Sequence, residues 1–151
     1  MSAAPTGYLT HEALDDASAL DPDVWPKVRT AFAEALGLDD DEVEPGHRII
    51  EELDAESLDF LDIAFRLERA FDIKIPRAGV ENASKEGIDP TDYEVDGVLT
   101  ELALTKLKEL MPEVPAEEFK PGLTSNDIPR LFRVQSFVNL VVGLLAEKAK
   151  A

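Results

Sequence analysis

The run SLDFLDIAFRLERAF at residues 57–71 constrains this chain more than any other stretch. Ile63, Ala64, Leu67 and Phe71 recur at separations of three, four, seven and eight residues, the period of an α-helix with one side against a core. Leu58, Leu61 and Phe65 form a second apolar strip beside the first, more apolar surface than one core contact needs. DIKIP then closes the segment, because the residue before Pro76 is pushed out of helical geometry. Val24, Val28, Phe32 and Leu36 repeat the helical period ahead of Gly37. That helix is predicted to start near DPDVWPKV, with Asp21 or Asp23 as a cap and an early proline tolerated in its first turn. After an Asp-Ile-Pro start, Val134, Phe137, Val138, Val141, Leu144 and Leu145 give a third stripe, and Lys148 and Lys150 suit the negative end of its dipole. Between the first two helices, LDDDEVEPGHRIIEEL predicts an irregular connection anchored by Val43, Ile49, Ile50 and Leu53. The predicted fold class is all-α, a helical bundle with a long first loop. Its core is assigned to Ile49, Leu53, Ile63, Leu67, Phe71, Ile75, Val134, Val138 and Val141.

Residues 77–125 differ in character, with four Gly and four Pro. Within them DGVLTELALTKLKELMP predicts a helix bounded by Gly97 and Pro112, supported by Val98, Leu99, Leu102, Leu104, Leu107 and Leu110. A structureless stretch of this length is unusual inside a compact domain, so 77–125 is read as an inserted helical segment with disordered edges. Residues 1–20 read as a loose or weakly helical N-terminal extension, and 21–151 as a single domain.

The formal net charge is −17. A nucleic-acid partner needs cations to displace counterions from phosphates, and an anionic membrane surface repels such a chain. Basic patches on other proteins are the natural counterpart. Residues 1–56 hold 15 acids and 3 bases, and residues 126–151 hold 2 acids and 4 bases, so the acidity is concentrated ahead of Ser57. There is no cysteine, which excludes disulfides, thiolate metal sites and a cysteine nucleophile. The N-terminus lacks a basic region followed by an apolar core, and the longest apolar stretch, FVNLVVGLLA, is too short to span a bilayer. A cytoplasmic monomer without stable membrane insertion is expected.

Enzyme chemistry is hard to assemble here. The run DDDEVEPGHRII lacks the alternating ligands and fixed glycine of an EF-hand loop, and His11 and His47 belong to no metal pattern. Ser57 sits in no Gly-x-Ser-x-Gly elbow, and no glycine loop cradles a phosphate. No nucleophile–base pair emerges, so the chain is read as non-catalytic, with no metal. Ser57 itself keeps two readings: a helix cap or first-turn residue, and a point of covalent attachment.

The stretch from Trp25 to Pro76 resembles acyl carrier proteins. Their signature is Asp-Ser-Leu at the start of the second helix, after a long loop ending in a Leu-Gly-Ala-like turn. This chain has Leu53 before the turn, then Ser57, Leu58 and Asp59, then Leu67, Phe71, Ile75 and Pro76. AFAEALGL resembles the end of the family's first helix, and LFRVQSFVNLV its short third and final helices. The chain departs from the pattern with Glu56 in place of Asp, Asp54 in place of Gly, and Arg66 and Arg69 on an otherwise acidic face.

The resemblance implies that Ser57 carries a 4′-phosphopantetheine arm, added from coenzyme A by a phosphopantetheinyl transferase. The arm supplies the thiol that holds an acyl group as a thioester, which fits a chain without cysteine. A phosphodiester at a helix N-terminus meets unpaired N–H groups and the positive dipole end. Glu56, Asp59, Asp62 and Glu68 are then the charged rim for partner enzymes, and Leu58, Leu61 and Phe65 the apolar contact inside it, with core packing as their alternative role. The implied partners are acyl–acyl-carrier-protein synthetases, ketosynthases or acyltransferases of fatty-acid, polyketide or lipid-modification chemistry. A carrier of amino acids or other carboxylates, and an unmodified carrier-like interaction module, remain open. The outline with its 77–125 insert resembles extended, specialised acyl carrier proteins; the insert helix is expected to pack beside the bundle and shape a cargo pocket or a partner surface. Some core residues are expected to line a cavity for an acyl chain.

Overall fold

Helix α1 (Trp25–Leu36) and helix α2 (Ser57–Phe71) form where the apolar periods place them. The computed structural model describes residues 7–14, 19–76 and 83–150. The cap position of α1 is Val24, not an aspartate; Asp21 instead organises the turn ahead of it, its carboxylate accepting the Asp23 N–H at 2.8 Å and its carbonyl the Trp25 N–H at 2.9 Å. Gly37 ends α1 in the left-handed region (φ 70°), where a residue without Cβ is unstrained.

The connection from α1 to α2 is irregular but tied down. Val43 and Ile49 are buried, while Ile50 and Leu53 are half-buried. Three backbone bonds stitch it to the start of the last helix: Ile49 N–H to Phe132 O (3.1 Å), Val134 N–H to His47 O (2.9 Å) and Gln135 N–H to Pro45 O (2.9 Å). Burying its polar backbone is possible because those groups are paired.

Beyond residue 82 the structure departs from the sequence reading. A short helix α3 (Pro90–Tyr93) leads into an antiparallel pair, β1 (Glu94–Val95) and β2 (Val98–Leu99). Asp96 and Gly97 both have positive φ (53° and 84°), the geometry of a tight hairpin turn. Val98 and Leu99 are therefore strand residues, and helix α4 (Glu101–Leu110) begins after Thr100, whose hydroxyl accepts the Ala103 N–H at 3.2 Å. Leu102 points away from the core, 53% exposed, whereas Leu104 and Leu107 are buried. The all-α architecture thus carries one two-residue hairpin among the described residues. Residues 77–82, at one edge of the insert, lie outside the described residues.

Helix α5 (Ile128–Leu131) follows a capping box between Thr124 and Asp127, and helix α6 (Val134–Lys150) completes the chain. The Asp-Ile-Pro signal starts α5 alone, since the chain extends at Phe132 before α6 begins. Lys148 closes a different helix from its own: its ammonium donates to the Asp72 carbonyl (2.8 Å) and carboxylate (3.1 Å) at the end of α2.

Two apolar clusters result. The bundle core holds Val28, Phe32, Ile49, Ile63, Leu67, Val134, Val138 and Val141, all fully buried. The second joins Tyr93, Leu99, Leu104, Leu107 and Met111 of the insert to Ile128 and Leu131 of α5. Phe132 packs against both.

A buried polar network joins insert, N-terminal segment and α6. Asn139 accepts N–H donors from Leu9 and the Gln135 amide, both at 2.8 Å, and donates to Leu9 O (3.0 Å) and Glu113 Oε1 (3.2 Å). The Ser136 hydroxyl donates to Glu113 Oε2 at 2.6 Å, and Arg133 pairs with Glu118. Residues 7–9 are thus held, not loose, and Leu9 is buried. Residues 1–6 and 15–18 lie outside the described residues. No helix among the described residues is long and apolar enough to cross a membrane.

Burial pushes the Glu113 carboxyl above the ordinary glutamate range, against the opposing pull of Ser136, Asn139 and Arg133. With a raised folded-state pKa, the native protein holds a proton that the unfolded chain has released. Between the ordinary glutamate value and the raised one, stability therefore falls as pH rises. Glu113→Gln, which mimics the protonated form, is expected to flatten that slope; urea midpoints of both proteins across this window measure it.

Candidate functional site at the head of α2

The chain reaches α2 through a bend at Asp54, whose φ of 59° lies in the left-handed region. Ala55 is buried next to it, its N–H bonded to Ile49 O at 3.1 Å, so the bend is set by the loop core. This is the position where Asp replaces the resemblance's Gly. Asp54→Gly relieves the strain of a side chain at positive φ, and a stability gain of up to about 1 kcal/mol is expected in urea denaturation.

Glu56 occupies the N-cap position and Ser57 is the first helical residue. Capping is supplied by two carboxylates. Asp59 Oδ2 accepts the Glu56 N–H at 2.8 Å, and the Glu56 side chain accepts the Asp59 N–H in return. The cap reading of Ser57 therefore gives way to a first-turn position. A helix of 15 residues begins here, and its first N–H groups have no intrahelical partner. Such an end suits the anionic phosphodiester of a phosphopantetheine arm.

The partner-facing residues named from the sequence share this helix. Leu58, Leu61 and Phe65 are 76%, 37% and 48% exposed, so they lie on the surface and not in the core. Glu56 is exposed and Asp59 half-buried. Asp62 is bonded to Arg66 Nε at 3.0 Å, and Arg66 also approaches Glu34 at 3.8 Å. Glu68 has an internal task, accepting the Ile75 N–H at 2.8 Å and so folding DIKIP back on α2. The sequence reading placed Phe137 on the apolar stripe of the last helix but gave no role to Phe60 or Phe132, whose rings both meet that of Phe137. An aromatic three residues after Ser57 was the available signal.

The comparisons with known proteins address the same stretch. The family model for the phosphopantetheine attachment site matches residues 26–85, which hold nearly all of α1, the long loop and α2. The chain is 41% identical over 68 residues to the acyl carrier protein AcpXL of Brucella melitensis biotype 1, covering 45% of this chain and 73% of that protein. It is 39% identical over 64 residues to the acyl carrier protein of Borreliella burgdorferi strain ZS7, covering 42% of this chain and 75% of that protein. With its capped α2, its long stitched loop and these matches, the chain belongs to the acyl carrier protein family, whose covalent cofactor is 4′-phosphopantetheine.

Proposed function

We propose that Ser57 is the attachment point of the arm and that the protein presents acyl intermediates to partner enzymes of fatty-acid, polyketide or lipid-modification chemistry. The observation that carries this is the position of Ser57 as first residue of α2, inside the matched stretch, with the capping task held by Glu56 and Asp59. The arm supplies the thiol that a cysteine-free chain lacks. The protein's own residues position and present. The α2 N-terminus favours the phosphodiester, and the loop bonds to α6 hold that end in place. Leu58, Leu61 and Phe65 offer an apolar contact to partners, with Glu56, Asp59 and Asp62 as acidic surroundings. Glu68 shares the face, but its bond to Ile75 makes it the least available of the set. A phosphopantetheinyl transferase modifies the chain; acyl–acyl-carrier-protein synthetases, ketosynthases or acyltransferases load and unload it. No step of bond-making falls to the chain itself.

Acyl loading separates this reading from its alternatives. The arm-bearing protein, incubated with ATP, labelled octanoate and an acyl–acyl-carrier-protein synthetase, is expected to take up label that hydroxylamine releases. Uptake of amino acids by an amino-acid-activating enzyme, with none of octanoate, contradicts acyl carriage. Absence of both favours an unmodified interaction module.

A further inference from the structure

Among the described residues six large apolar side chains stand exposed, and they fall into two groups of three. Leu58, Leu61 and Phe65 make up the α2 face. Val95, Val98 and Leu102 belong to the insert, outside the stretch that the family model matches. The hairpin explains why the valines come as a pair. Val95 and Val98 are register partners across the Asp96-Gly97 turn, so their side chains leave the same face with Cβ atoms about 5 Å apart. Leu99, the next residue of β2, points the other way and is buried. Leu102 follows in the first turn of α4. Local propensity does not ask for apolar residues here. Threonine suits an exposed strand as well as valine does, and glutamate or lysine suits an exposed helical turn as well as leucine does.

The face is also held in shape. The Leu99 N–H donates to Leu123 O at 2.8 Å, and Val98 forms a bridge with Thr124. The Thr100 N–H donates to Tyr93 O at 3.0 Å, and the Ser125 hydroxyl to the Glu94 carboxylate at 2.8 Å. A surface fixed in this way loses little conformational freedom when something docks on it. Its surroundings are acidic. Glu86, Asp89, Asp92, Glu94, Asp96 and Glu101 are exposed, and no Lys or Arg occurs between Glu86 and Thr105 in the sequence. Lys85, just ahead of that stretch, stands over the Tyr93 ring at 5.6 Å. An apolar centre with acidic surroundings is the anatomy that α2 also presents.

Charge selects what can cover this face. A second copy, with a net charge of −17, would set these acids against acids, and an anionic lipid surface is repelled in the same way. The complement is a protein surface whose apolar spot is rimmed by Lys and Arg. We propose that Val95, Val98 and Leu102, within their acidic surroundings, form a second docking surface, and that its occupant is such a basic-rimmed protein. Three apolar side chains are far fewer than the roughly 20–30 residues a side of a standard stable interface, so the contact is transient. The surface does not depend on the attachment at Ser57. It gives the insert a task, which is to tell apart proteins that fit α2 equally well.

The test places a photoreactive p-benzoylphenylalanine at position 98 of the full chain in its native cells, and at exposed Glu109 of α4 as a control. Irradiation is expected to give an adduct with another protein from position 98 and not from 109. Capture alone does not count, so the captured protein is purified and its affinity for the parent and for variants is measured by titration calorimetry. Val98→Thr combined with Leu102→Gln is expected to weaken binding about tenfold. Asp96→Asn combined with Glu101→Gln is expected to flatten the fall of affinity with salt. All four side chains are exposed, so urea midpoints should stay at the parent's value. If the apolar pair of changes does not fold, Val98→Thr alone gives the same comparison, with an expected loss of about threefold. Ser57→Ala should give the same adduct from position 98, which keeps this proposal separate from the fate of the arm. Adducts with a second copy only, the same adduct from position 109, no adduct, an adduct lost in Ser57→Ala, or an affinity that neither pair of changes moves would each overturn it.

Discussion

Phe137→Ala is expected to cost about 3–5 kcal/mol of stability. The ring is only 8% exposed and meets three others, from α1, α2 and the segment ahead of α6. Its loss removes apolar burial and leaves a space that no one neighbour can fill, because Phe32 and Phe132 are each held by separate packing. Domains are commonly stable by about 5–15 kcal/mol, so the variant should sit near the edge of folding at moderate temperature. Urea denaturation measures it: the midpoint should fall steeply with little change in slope. A cost below about 1 kcal/mol would mean that the aromatic block is loosely packed.

Ser57→Ala should behave in the opposite way, silent in stability and complete in function. A serine that caps a helix typically costs about 0.5–2 kcal/mol when replaced by alanine. Here the cap position belongs to Glu56, and the reciprocal bond runs to Asp59. Ser57 is the first helical residue, where alanine is well tolerated, so the change in folding free energy should stay within about 0.5 kcal/mol. Acyl labelling by the synthetase assay should meanwhile fall to background. A variant that loses stability by the full capping amount and keeps its label would return Ser57 to an ordinary structural role.

Much of this was legible from local pattern. The bounds of α2 could be read from 57–71 because an amphipathic period and a following Ile-Pro are local signals. Gly37 marked the end of α1 for the same reason. The start of the insert helix was misplaced at Gly97, although Asp96-Gly97 between Val95 and Val98 is a hairpin signal and Thr100 a cap signal. Leu58, Leu61 and Phe65 were recognised as surplus to one core contact, and their exposure required the fold to be seen.

Pairings between distant residues had no local trace. The tie of Leu9 to Asn139 spans 130 positions, and Glu113 reaches Asn139 across 26. The i, i+4 polar pair Gln135 and Asn139 inside an apolar helix hinted that something polar must meet it, but not what. Glu68 shows the converse limit: its charge was visible, while its bond to Ile75 depends on how the chain turns after Asp72. Membership of a family whose cofactor is phosphopantetheine follows from the matched stretch; which residue bears the arm is the point that needs a measurement.

That measurement is intact mass and peptide mapping of the protein after incubation with coenzyme A, magnesium and a broad-specificity phosphopantetheinyl transferase, alongside Ser57→Ala. The account predicts one arm on the parent, located on the peptide that contains Ser57, and none on the variant. An unmodified parent under conditions that modify a control carrier, or an arm found on any other residue, would contradict it.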